Sequence, residues 1–313
     1  ALTIDPSGFT FTGGATKLAG TKSFAGTISS TNAALNFGTA GNVTLTGATT
    51  FSSGTGAITL FDIPGPANFD LILQGSGADV LGVVNLGTGT LNLTGKTGGS
   101  VTVNGALTSA SLTTAAAAYD VALNGGGTVT NLVTFSNTGV VTLGDGAADV
   151  LTLNGGVTAT APASKNIAGT IATSSDNVNL GTTGTTVTAN CTISPVGGTI
   201  TLGAVTINSG VTLTLGAGAA TPINVTGVIS GAAASGNLTI NTTQAVTVPS
   251  VVGPNIGTVT ITNSGGTTFS SAVTAVTVTL TNTTGSITFN GALTATSLTT
   301  AAAAYEVVLN DGG

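Results

Sequence analysis

The 313-residue sequence has no histidine, arginine, methionine or tryptophan, a single cysteine and four lysines. Without His and Arg, most acid/base, metal and phosphoryl chemistry loses its usual side chains. Cys191 is alone, so no disulfide can form within the chain. A net charge of −6 excludes an electrostatic nucleic-acid binder. Charged residues make up 4% of the chain, against about 25% in typical soluble proteins. Yet no run of about 20 apolar residues is present, so no helical membrane span is expected. Disorder does not fit either, because Val, Ile and Leu are plentiful. No leader with basic and apolar regions opens the sequence at Ala1. With no Met, and with the last repeat breaking off, the sequence reads as an excerpt of a longer, extracellular chain.

What fills the chain is threonine, about a fifth of all positions, together with 48 glycines. Short runs alternate an aliphatic residue with Thr or Asn: NVTLTG (42–47), TLNLTG (90–95), SVTVNG (100–105), DVLTLNGG (149–156). Period-2 alternation marks half-buried strands, and the Asn-Gly and Gly-Gly pairs that end them supply turns. In this register Leu91, Leu93, Val101 and Val103 point inward, and Thr94, Thr102 and Asn104 outward. Only SLTTAAAAYDVAL (111–123) and its copy could be helical, and the alternating YDVAL favours strand or corner there. Most of the phenylalanines fall between Phe9 and Phe69 and read as stacked interior residues.

The chain repeats itself. Residues 97–127 and 283–313 share 23 of 31 positions, and KSFAGTI (22–28) recurs as KNIAGTI (165–171). The module 22–127 thus returns as 165–313, longer by about 43 residues of strand-like sequence within 203–282. A closed barrel or sandwich cannot absorb such an insertion without rebuilding its core, whereas a solenoid adds whole turns. The expectation is one continuous all-β parallel β-helix over 1–313, with about 13–15 coils of roughly 20–25 residues and about two extra coils in the longer copy.

These Gly-terminated strands (VTLTG, LTLNGG, ITLG), free of Cys and Trp, resemble the repeat regions of giant bacterial surface proteins of the filamentous-haemagglutinin and autotransporter-passenger type. The resemblance implies a right-handed parallel β-helix and a role in adhesion or surface architecture. The Asn-Pro-Asn-Gly-type secretion signature of two-partner exoproteins is absent from the sequence.

Candidate chemistry is sparse. GSGADVL (75–81) resembles a calcium-binding nonapeptide turn around Asp79, and LGDGAADVL (143–151) is a looser copy with Asp145 and Asp149. A plain Gly-Asp turn explains both, so no metal or other cofactor is assigned beyond calcium at these three aspartates. The remaining carboxylates are Asp5, Asp62, Asp70, Asp120, Asp176, Glu306 and Asp311, with Lys17, Lys22, Lys96 and Lys165 scattered among them. No catalytic residue is assigned, because polysaccharide cleavage needs clustered carboxylates beside a cation. Cys191 has no His to activate it and reads as a small interior residue. The sequons at Asn42, Asn92 and Asn282 are expected by chance in so Asn/Thr-rich a chain. Thr-X-Thr pairs (Thr44/Thr46, Thr212/Thr214, Thr260/Thr262, Thr279/Thr281) suggest ice binding, but their spacing along the sequence is irregular.

The reading that results is a structural, non-catalytic part of an extracellular microbial filament, stalk or sheath. Its partners would be copies of itself or continuing chain. The alternative is an adhesin passenger presenting a ligand or carbohydrate site. A polysaccharide-active enzyme or an ice-binding protein follows at a distance.

Overall fold

The computed structural model describes residues 1–4, 8–38, 40–233, 235–281 and 283–311. Asp5 and the Asn282 sequon lie outside the described residues. The fold is a parallel β-solenoid of about 14 turns, without helix among the described residues. Two compact units comprise it. The first is residues 1–144 with 150–155 and 161–163, and the second is 145–149, 156–160 and 164–313.

Three strands make a turn in the first unit, and each pairs in parallel with its counterpart one turn on. One stack runs Leu35–Phe37, Ile58–Leu60, Ala78–Leu81, Ser100–Val103, Asp120–Leu123 and Val140–Leu143. A second runs Val84–Asn85, Leu107–Ser109, Gly127–Val129 and Val150–Leu153. The third runs Val43–Ser52, Leu71–Gly75, Thr90–Lys96, Ser111–Thr114 and Val133–Thr134. Parallel pairing places like on like, so inward aliphatics form columns such as Val101–Val121–Val141 and Leu81–Val103–Leu123–Leu143, all buried. Burying each such side chain is worth roughly 1.5–3 kcal/mol. Leu91, Leu93, Val101 and Val103 are buried, Thr94 and Asn104 exposed and Thr102 half-buried, as the alternation predicts.

The two copies of the module differ in turn number. Thr59 reaches Thr102 in two steps, through Val80. The equivalent Thr201 reaches Thr288 in four, through Asn224, Thr247 and Thr268. The added sequence is therefore two further turns, in register along this path, with local register shifts in the neighbouring stack at Gly236/Leu238 and Val252/Ile256.

The phenylalanines only partly follow expectation. Phe24, Phe37 and Phe51 form a buried cluster with ring centroids 4.9–5.8 Å apart. Phe9 and Phe69 are exposed.

The four-alanine segment is a corner, not a helix, because a tyrosine fastens it. Tyr119 Oη accepts the Ala115 N–H at 2.8 Å and donates to the Leu93 carbonyl of the preceding turn at 3.3 Å. In the second unit Tyr305 repeats this with Ala301 and Leu280. Small alanines let the chain bend tightly over the hydroxyl, and the hydroxyl satisfies a backbone donor that the corner would strand. Tyr119→Phe should therefore cost about 1–3 kcal/mol, the penalty for an unpaired buried polar group. Denaturant unfolding measures this loss, and an unchanged midpoint would show that the hydroxyl is dispensable.

Candidate functional site

Three of the carboxylates prove to be corner fittings. Asp62 Oδ1 accepts the Val83 N–H at 2.8 Å, Asp70 Oδ1 that of Thr90 at 2.8 Å and Asp120 Oδ1 that of Val140 at 2.7 Å. Asn177, Asn190 and Asn237 do the same for Thr199, Thr212 and Thr258. In each case a side-chain oxygen on one turn accepts a backbone N–H of the next, at or just before a strand start except at Thr258, which lies within the strand Val252–Asn263. The signal in the sequence was an Asp or Asn lying 20 to 22 residues before a strand start.

Of the three calcium candidates, Asp79 and Asp149 have carboxylates held by protein groups, while Asp145 contributes its backbone N–H to Asp149. Asp149 Oδ2 accepts the Asp145 and Gly146 N–H groups at 2.9 and 2.7 Å, closing its own turn. Asp79 is not in a turn at all. It lies within the strand Ala78–Leu81, fully buried, with Oδ2 2.7 Å from Lys96 Nζ and Oδ1 accepting the Ile58 N–H at 2.9 Å. Burial pushes its carboxyl above the usual range, and the Lys96 contact and the Ile58 N–H pull it partly back. Among the described residues no three His, Cys, Asp or Glu side chains group to hold a metal.

Three of the four lysines, which look scattered in sequence, point into the solenoid. Lys22, Lys96 and Lys165 are each at most 1% exposed. Lys22 Nζ donates to the carbonyls of Ala40 and Gly41 at 2.8 and 2.7 Å. Lys165 Nζ donates to the Thr183 carbonyl at 2.7 Å and to its hydroxyl. Desolvation lowers both amines, Lys165 to about 8, with Lys17 adding to the effect at Lys22. Cys191 is buried as expected, its thiol pushed up to about 12 by burial.

The outer surface carries the largest ordered feature. In the second unit Thr170, Thr192, Thr214, Thr239, Thr260, Thr279 and Thr299 stack in one unbroken column, one per turn. Two buried columns lie beneath it, Leu213–Leu238–Val259–Val278 and Ile193–Leu215–Ile240–Ile261–Leu280, which hold the threonines outward. Thr212, Asn237, Thr258, Thr277 and Ser297 flank it two residues earlier on successive turns. The irregular spacing in sequence hid this regularity. The step from Thr214 to Thr239 is longer along the chain than the step from Thr260 to Thr279. The difference is absorbed partly at the corners and partly by register shifts within the strand Val252–Asn263. Thr212/Thr214 supplies both columns, while Thr260 and Thr279 join the main one and Thr44/Thr46 lies in the other unit.

In the first unit two such rows are broken by Val80, Ala122 and Ile72, while a third, Asn85–Thr108–Thr128–Thr152, runs unbroken. That unit also has a recess of about 300 Å³ between Asn42–Leu45 and Ile63–Ala67. Its walls are mainly proline, glycine and aliphatic residues, with Asn42 and Thr44 but no titratable side chain. Tyr119 is 1% exposed, so it offers no stacking platform to a sugar. No helix among the described residues is long and apolar enough to cross a membrane. No family model, curated protein or solved structure matches the chain.

The buried lysine makes stability depend on pH. Lys165 loses its proton near pH 8 in the fold but near its ordinary 10.5 when unfolded. Between these values the unfolded chain binds more protons, so stability rises with pH. Cys191 acts oppositely above its ordinary 9.0, because its thiol stays protonated in the fold. Wild type should therefore gain stability from pH 8 to 9, and Lys165→Met should flatten that rise. Denaturant midpoints at pH 7, 8 and 9 check it, and parallel profiles for the two proteins would contradict it.

Proposed function

We propose that the chain is a structural, non-catalytic segment of an extracellular microbial filament, stalk or sheath, associating laterally with copies of itself through its Thr/Asn faces. The seven-threonine column carries this reading. Its hydroxyls recur at the spacing between paired strands, roughly 4.8 Å, and no formal charge interrupts the column. A neutral repeating face meets a second copy without the repulsion that keeps charged proteins apart. Its hydroxyls can exchange water for one another along the whole contact. The resemblance to bacterial surface-protein repeats supports the same role, and an adhesin passenger would share this scaffold.

The same column favours a second reading, in which the ordered hydroxyls bind the surface of ice. Growth of an ice crystal in the presence of dispersed protein separates the two, since a pure assembly element leaves its growth unchanged.

For assembly, sedimentation and negative-stain images should show associated material in 1 M NaCl and with chelator present. At that ionic strength the Debye length is about 3 Å, so charge pairs would be screened. Replacing Thr192, Thr239 and Thr279 by Asp should disperse the assembly at low salt and restore part of it at high salt. A wild-type protein that stays monomeric at every concentration would exclude the assembly reading.

A further inference from the structure

The fold uses Asp70, Asp120 and Asn237 as caps and Lys22 and Lys165 as carbonyl donors, which leaves the buried Asp79–Lys96 pair unlike the rest. Both side chains are 0% exposed, and Nζ lies 2.7 Å from Oδ2. Two further contacts aim the pair. The Gly77 carbonyl accepts a second Nζ hydrogen bond at 2.8 Å, and the Ile58 N–H donates to Oδ1 at 2.9 Å. Gly77 lies tight against the preceding turn, where a Cβ would collide with the Gly56 carbonyl.

We propose that Lys96 and Asp79 form a self-modification site, at which the amine and the carboxyl condense into an intramolecular isopeptide bond with release of one water. The arrangement supplies each requirement of that step. Transfer of one proton along the short Nζ–Oδ2 contact converts the ion pair to a free amine and a carboxylic acid, a change that burial of the carboxylate favours. The amine attacks the carboxyl carbon, and the C=O electron pair moves to Oδ1, where the Ile58 N–H stabilises the developing charge as in an oxyanion hole. Oδ2 departs as water with two hydrogens, both from the original ammonium, and the carbonyl re-forms on Oδ1. Atoms and charge balance without oxidant, reductant or cofactor. The groups are fixed in contact, which is worth effective molarities of about 10⁵–10⁸ M in well-oriented cases. Exclusion of solvent keeps water from competing.

The bond would join residues 17 apart, tying the strand Thr90–Lys96 to the strand Ala78–Leu81 one turn below. Its chemistry does not depend on what the solenoid is for. Lys22 and Lys165 serve as internal controls, because their partners are backbone carbonyls and a threonine hydroxyl with no carboxyl to condense with.

The test is the intact mass of the full chain, denatured and reduced, followed by peptide mapping. The expected result is a mass lower than the sequence by one water and a branched peptide joining Lys96 to Asp79. Lys96→Met with Asp79→Leu, which replaces the buried pair by apolar groups, should show the full mass of its own sequence. Wild type at full sequence mass, with separate linear peptides, overturns the proposal. So does a lost water traced to a cyclic imide, for example at Asp145-Gly146, in place of the branched peptide. The wild-type mass decides the matter even if the double variant fails to fold.

Discussion

Backbone hydrogen bonds between successive turns are the constraint on which the rest depends. The N–H of Lys22 donates to Asn42, that of Val43 to Asp62, Ile63 to Val83, Val84 to Ala106 and Leu107 to Gly126. Each turn thereby dictates the height and register of the next. A buried backbone group without a partner is costly, so every corner must hand its donors on to something. This requirement explains the residues that look like chemistry. Aspartates and asparagines cap strand starts one turn away, and two tyrosines fasten alanine corners. Lys22 and Lys165 fill carbonyls that the interior would otherwise leave bare.

The same constraint orders the surface. Because parallel strands place equivalent residues directly above one another, any choice made at an outward position is multiplied along the stack. Threonine repeated at one position becomes a column of hydroxyls seven turns long in the second unit. A substitution such as Val80 or Ile72 breaks two rows of the first unit, while Asn85, Thr108, Thr128 and Thr152 keep a third polar throughout. The surface of each unit is thus set by columns.

Surface charge is sparse because charged residues make up only 4% of the chain, and three of its four lysines are buried. Lys22 and Lys165 donate to carbonyl oxygens, which lets a desolvated amine persist at the cost of a lowered proton affinity. Among the described residues only Lys96 meets a carboxylate, that of the equally buried Asp79.

The sequence by itself determined the fold class, the inward and outward residues of strands such as Thr90–Lys96 and Ser100–Val103 where aliphatic residues alternate with Thr or Asn, and the existence of two added turns. All three follow from local alternation and from the length of a repeat, which are properties of neighbours along the chain. It could not determine that Asp79 meets Lys96, that three lysines point inward, or that threonines at unequal intervals share one column. Those facts depend on how many residues each corner absorbs. Corner length varies from turn to turn, so residues at unequal spacing in sequence come to equal height in space. Only the stacked structure, where backbone hydrogen bonds set the register, decides which side chains meet.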